Sequence, residues 1–148
     1  DPVSVVAADR SSFALHEARW TYQMLRISAK TSRSITEALD AVRRPDGIVI
    51  GWTLNELDGE RRDLIATRLL PWVAKGSRLL VIEPVSKRVT PWWDEWTARF
   101  PKERCSSQER KLRLSLPPKI ALLARAAGLS TDATVVRVLV SPGGSQPR

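Results

Sequence analysis

The sequence predicts an α/β fold: a mostly parallel sheet with helices on both faces and an antiparallel strand near the C-terminus. Three observations carry this. Ile48, Val49 and Ile50, like Leu79, Leu80, Val81 and Ile82, form continuous apolar runs, the pattern of strands buried on both faces of a parallel sheet. They flank a long amphipathic segment, so residues 47–84 read as one strand-helix-strand unit. The apolar run Val3 to Ala8, closed by Asp9-Arg10-Ser11-Ser12, repeats the strand-to-helix transition. Leu112, Leu114 and Leu116 alternate with Arg113 and Ser115, as in a half-buried antiparallel strand.

The elements follow in order. After the strand ending at Ala8, Ser11 or Ser12 caps a helix over 13–25, with Leu15, Ala18, Tyr22 and Leu25 at helical spacing and Trp20 and Met24 thickening the stripe. A weak edge strand within 27–35 leads to a short helix over 36–43, stopped by Pro45-Asp46-Gly47. Beyond the strand at Ile48, Asp58 caps a helix whose Leu64, Ile65, Leu69, Trp72 and Val73 form one apolar side and which Gly76 ends. Pro71 removes a backbone hydrogen bond there, which predicts a kink or break near Leu70. After Glu83-Pro84 comes a basic linker, then a helix that sets Trp92, Trp93 and Trp96 on one face against the sheet. A helix over 119–127 ends at Gly128, and Val135 to Val140 forms a last strand.

At 148 residues and 43% apolar content, one domain is expected, over 1–140, with a Pro/Gly/Ser-rich tail over 141–148 that should be disordered. No stretch reaches the roughly 20 apolar residues of a membrane span, and the N-terminus lacks the regions of a signal peptide. The expectation is a cytoplasmic protein with no membrane partner. One cysteine, Cys105, and one histidine, His16, exclude an internal disulfide and a Cys/His zinc set. The formal charge is +8, and residues 85–125 carry ten bases against four acids. That basic third suits a polyanion such as RNA, and equally an ordinary solvated face.

In open parallel sheets, ligands lie beyond the carboxyl ends of the strands, which points to Asn55, Glu56 and Glu83. Asp9, ending a strand before a helix, suits two ribose hydroxyls of an adenosine-containing cofactor, and serves equally as a helix cap. A glycine-rich turn would precede such an acid by about 20 residues, and only eight residues precede Asp9. No nucleophile-base or metal-ligand set is visible. Positioning chemistry remains, and methyl transfer from a sulfonium needs in-line placement more than acid-base help.

The segments Val5-Val6-Ala7-Ala8-Asp9-Arg10-Ser11, Leu54-Asn55-Glu56-Leu57 and Leu79-Leu80-Val81-Ile82-Glu83-Pro84 resemble, in order and spacing, the second, fourth and fifth strand ends of class I S-adenosylmethionine-dependent methyltransferases. The resemblance covers residues 3–85 and implies a Rossmann-like sheet whose first strand and Gly-rich loop are missing. Trp92-Trp93-Asp94-Glu95-Trp96 resembles a bacterial subgroup, and the whole pattern is distantly similar to methyltransferase-like proteins that act on or assemble the small ribosomal subunit.

The resemblance implies S-adenosylmethionine as cofactor, with Asp9 and its neighbour Arg10 at the ribose and Trp52 and Thr53 along the methionine or adenine side. Asn55 and Glu56 would face the methyl acceptor, joined by Glu83. Ser34 or Thr36 stands where the family meets adenine. The implied activity is methyl transfer to a small-molecule or RNA acceptor, by a fragment of a longer enzyme or a degenerate copy of one. Two rivals stand beside it: a non-catalytic RNA- or ribosome-associated module using Lys87, Arg88, Arg110, Lys111 and Arg113, and an NAD-dependent oxidoreductase fragment in which Asp9 serves the ribose. Unpaired sheet edges also predict self-association.

Overall fold

The computed structural model describes residues 4–113, 116–128 and 133–144. Where one domain was expected, the chain divides into two compact units, Asp1–Pro45 and Asp46–Arg148. The boundary falls in the Pro45-Asp46-Gly47 turn.

The first unit is a βαβ crossover followed by a short helix. β1 (Ser4–Ala8), α1 (Ser12–Met24), β2 (Ser28–Ser32) and α2 (Ile35–Asp40) succeed one another. β1 and β2 pair in parallel from Ser4↔Ser28 to Ala8↔Ser32. The Ser11 hydroxyl caps α1 by accepting from the Ala14 amide at 3.2 Å, which satisfies one of the amides left open by the first turn. Leu15 is the buried residue of α1. The expected stripe is only partly used: Leu25 is 64% exposed, and Trp20 and Met24 are also open to solvent. With Phe13, Trp20 and Met24 lie on the side of α1 opposite Leu15, since 13, 20 and 24 share one helical face.

The second unit holds a four-stranded sheet in the order β3-β4-β6-β5. Its elements are β3 (Gly47–Gly51), a 3-10 turn (Leu54–Glu56), α3 (Gly59–Ala74), β4 (Arg78–Pro84), α4 (Trp93–Ala98), β5 (Ser106–Leu112), α5 (Pro118–Ala126) and β6 (Thr134–Ser141). β3 and β4 are parallel, while β6 runs antiparallel to both β4 and β5. The core gathers Leu54, Ile65, Ala66, Leu69, Val73, Leu79, Val81, Trp93, Trp96, Phe100, Val136 and Leu139. α4 buries Trp93 and Trp96, as expected for the tryptophan-rich segment. Their indole N–H groups donate to Ser107 Oγ and to the Arg62 carbonyl, each at 3.0 Å, so neither ring leaves a buried donor unpaired.

Four expectations are corrected. β3 is not covered on both faces: Ile50 is buried, but Val49, on the opposite face, is 74% exposed, so that face of the strand is left uncovered. α3 continues through Pro71 to Ala74. Pro71 sits where only the last turn follows it, and the buried Leu69 and Val73 on either side hold that turn in place. The antiparallel strand before the Pro117-Pro118 stop is Ser106–Leu112, earlier than the leucine alternation indicated. Leu114 and Ser115 lie outside the described residues, and β5 is specified by its backbone ladder to β6 rather than by a buried leucine face. Finally, the boundary expected at Ser141 falls inside β6, and Gly143, at φ +81°, lies against the Gly76–Arg78 turn: a Cβ there would meet the Gly76 carbonyl oxygen at 2.9 Å. Residues 145–148 are outside the described set.

Candidate functional site

The residues that the resemblance assigns to cofactor and acceptor lie at or follow the carboxyl ends of parallel strands, Asp9, Arg10, Ser34 and Thr36 in the first unit and Trp52, Thr53, Asn55, Glu56 and Glu83 in the second. In the first unit, Asp9 directly follows β1, and its amide donates to the Ser32 carbonyl at 3.2 Å, aligning the ends of β1 and β2. Asp9 Oδ1 accepts from the Ser11 amide at 2.7 Å. This bond orients the carboxylate, and Oδ2 carries no hydrogen bond among the described residues. Arg10 is exposed beside it. Across the same edge, Ser32 Oγ donates to Glu37 Oε2 at 2.6 Å and accepts from the Ser34 amide at 2.9 Å. Ser34 caps α2 through the Glu37 amide and shares a 2.7 Å hydrogen bond with Thr36. Ser34 and Thr36 are thus both engaged in starting α2.

In the second unit, the register sets Gly51 beside Ile82, so the end of β3 lies against the end of β4. The chain leaves β3 through Trp52, which has a φ of +49°, an unusual and costly conformation for a residue with a bulky side chain. The Trp52 amide donates to the Ile82 carbonyl at 2.9 Å, and its indole is half-exposed. Thr53 Oγ1 donates to the Gly51 carbonyl at 2.9 Å.

Glu83 is completely buried. Its Oε1 accepts from the Thr53 amide at 3.1 Å and the Leu54 amide at 2.8 Å. With the Asn55 amide oriented so that its nitrogen meets acceptors, that nitrogen donates to Glu83 Oε2 at 2.9 Å and to the Trp52 carbonyl at 3.1 Å. Burial pushes the Glu83 carboxyl above its ordinary value; the backbone amides of Leu54, Thr53 and Asn55 pull it back, and the Glu56 charge adds to the rise. Glu83 therefore lies beneath the loop rather than open at the strand end, while Glu56 is exposed and Asn55 half-buried.

Arg62 went unnoticed in the sequence. One turn into α3, it donates through Nη1 to the carbonyls of Leu57 and, at 3.4 Å, Leu54. Its guanidinium also lies 4.7 Å from the centre of the Trp92 ring, within cation–π range. No sequence signal distinguishes it from the neighbouring Arg61, whose side chain pairs with Asp58 at 3.5 Å on the surface.

Among the described residues there is no cluster of three or more metal-ligating side chains, and no helix is long and apolar enough to cross a membrane. Lys87, Arg88, Arg110, Lys111 and Arg113 of the basic third are exposed, whereas Arg137 of β6 is buried and pairs with Glu109 at 3.5 Å.

No family model matches the sequence, and no curated protein sequence matches it. Solved structures do match in fold. The N-methyltransferase NodS of Bradyrhizobium japonicum, in complex with S-adenosyl-L-homocysteine, superposes with a TM-score of 0.55 at 14% identity, covering 95% of this chain and 67% of that one. Precorrin-8w decarboxylase of Methanobacterium thermoautotrophicum gives 0.55 at 15% identity, over 93% and 69%. A methyltransferase of Pyrococcus furiosus gives 0.52 at 11% identity, over 95% and 64%. The chain therefore has a Rossmann-like α/β fold, shared with these methyltransferase structures. At these identities the likeness speaks to fold, and a fold hosts more than one chemistry.

Proposed function

We propose that this chain is the cofactor-binding part of an S-adenosylmethionine-dependent methyltransferase acting in the cytoplasm. The observation that carries the reading is Asp9: an exposed carboxylate at the carboxyl end of a parallel strand, with one oxygen fixed by the Ser11 amide at 2.7 Å and the other without a hydrogen bond among the described residues. A carboxylate so placed offers two acceptors to the hydroxyls of a ribose diol. The methyltransferase folds it resembles, one of them with S-adenosyl-L-homocysteine bound, support the same assignment.

When bound, the cofactor supplies an electrophilic methyl group on a sulfonium. The protein's share is placement and exclusion of water. Asp9 accepts the ribose hydroxyls, and Arg10 flanks them. Trp52 and Thr53, in the second unit, are assigned to the methionine or adenine side by the sequence resemblance alone. Asn55 and Glu56 face the acceptor, a small molecule or RNA, and Glu83 serves that side through the loop it supports.

Calorimetric titration of the chain with S-adenosylhomocysteine, beside Asp9→Ala and with NAD as control ligand, tests this. The expected result is saturable binding that weakens at least tenfold in Asp9→Ala, with no response to NAD. A folded chain that ignores S-adenosylhomocysteine overturns the proposal.

A further inference from the structure

The loop from Trp52 to Leu57 is held at both ends by buried or half-buried charge. The Glu83 carboxylate takes the amides of Thr53 and Leu54 at 3.1 and 2.8 Å. From the opposite side, the Arg62 guanidinium donates to the carbonyls of Leu54 and Leu57. The signs are matched to the backbone: the anion meets N–H groups at the start of the 3-10 turn, and the cation meets the carbonyls of Leu54, its first residue, and of Leu57, just beyond it. Between the two anchors the turn closes on itself through the Glu56 amide to Thr53 and the Leu57 amide to Leu54, each at 3.2 Å. Neither charged group is spare. Glu83 is wholly buried, and Arg62 is braced by Trp92 at 4.7 Å.

We infer that Glu83 and Arg62 are positioning residues: together they clamp the Trp52–Leu57 loop and hold Trp52 in its left-handed backbone conformation, so that Trp52, Thr53 and Asn55 are presented in a fixed arrangement. A non-glycine residue at φ +49° persists only where its surroundings over-determine it, and the clamp supplies that constraint. The use of the loop for cofactor binding rests on the function proposed above; the clamp itself does not.

Amide hydrogen exchange of the full chain separates the two. In the wild type, the Thr53 and Leu54 amides should be protected. In Glu83→Ala they should exchange at least tenfold faster, while β4 and β6 amides such as Val81 and Leu139 keep their protection. Glu83→Gln, which retains an acceptor oxygen for both amides, should restore most of the effect. Arg62→Met keeps a stem to pack on Trp92 without the guanidinium donors; it should speed exchange at Leu57 and decides the question should Glu83→Ala fail to fold. Unchanged exchange at all three amides in the folded variants overturns the clamp.

Titration with S-adenosylhomocysteine on the same samples gives the second readout. At least a tenfold loss of affinity in Glu83→Ala, recovered in Glu83→Gln, is expected. Freed amides with unaltered affinity would overturn presentation of the site by the clamp. A protected loop in a wild-type chain that binds nothing would leave the clamp standing and remove the methyltransferase reading.

Discussion

Asp9 and Glu83 look alike in sequence, an acid at the end of an apolar run, and their surroundings give them opposite characters. Asp9 stays at the surface with its orientation set two residues away by Ser11. Glu83 disappears beneath a loop some thirty residues back along the chain, so no local pattern could reveal its partners. The burial that raises the Glu83 carboxyl above the ordinary value of 4.5 makes a pH prediction. A carboxyl raised in the folded state contributes stability that is fully present below its unfolded value and is lost as pH rises through the folded one. Stability of the wild type relative to Glu83→Gln should therefore decline between acid and neutral pH; urea unfolding of both proteins across that range checks it. A difference that is flat or grows with pH would contradict the burial effect. Arg62 was equally illegible, because its role depends on carbonyls that the 3-10 turn brings within reach of α3.

Among the elements, those whose periodicity matches their burial were legible: α3 with its Asp58 cap, β4 and the tryptophan helix α4; α1 was legible as a helix, but only part of its expected stripe is buried. β5 was misplaced because its pairing is written in the backbone. Its side chains Glu109, Arg110 and Lys111 are exposed, and charge on an edge strand discourages further pairing rather than marking a buried face. Pro71 was over-weighted because propensity was judged without the packing of Leu69 and Val73. It is exposed on α3, so Pro71→Ala would restore a helix donor without opening a cavity. We expect a gain of about 1–2 kcal/mol, part of the roughly 3 kcal/mol interior cost being offset by the greater freedom of the unfolded chain. The urea midpoint, at unchanged m-value, measures it. A loss of stability would mean that the ring itself is needed.

As a whole molecule, the chain carries two units of unequal substance. The second has a core drawn from several helices and a four-stranded sheet, whereas among described hydrophobic residues the first buries only Leu15 fully, with Phe13, Trp20 and Met24 left in solvent. At 45 residues it is near the lower limit at which a single core sustains a fold. Residue-resolved exchange in low urea should therefore show β1 and β2 opening before β4 and β6; simultaneous opening would mean that the units share one cooperative transition. The order of strands in the second unit bears also on how the protein is born. β6, which holds β4 and β5 together, is synthesised more than fifty residues after β4. Until Ser141 has left the ribosome, Leu79, Leu80 and Val81 wait without that neighbour, for about 3–10 s at roughly 5–20 residues per second, an interval in which their exposed apolar edge is open to wrong pairing.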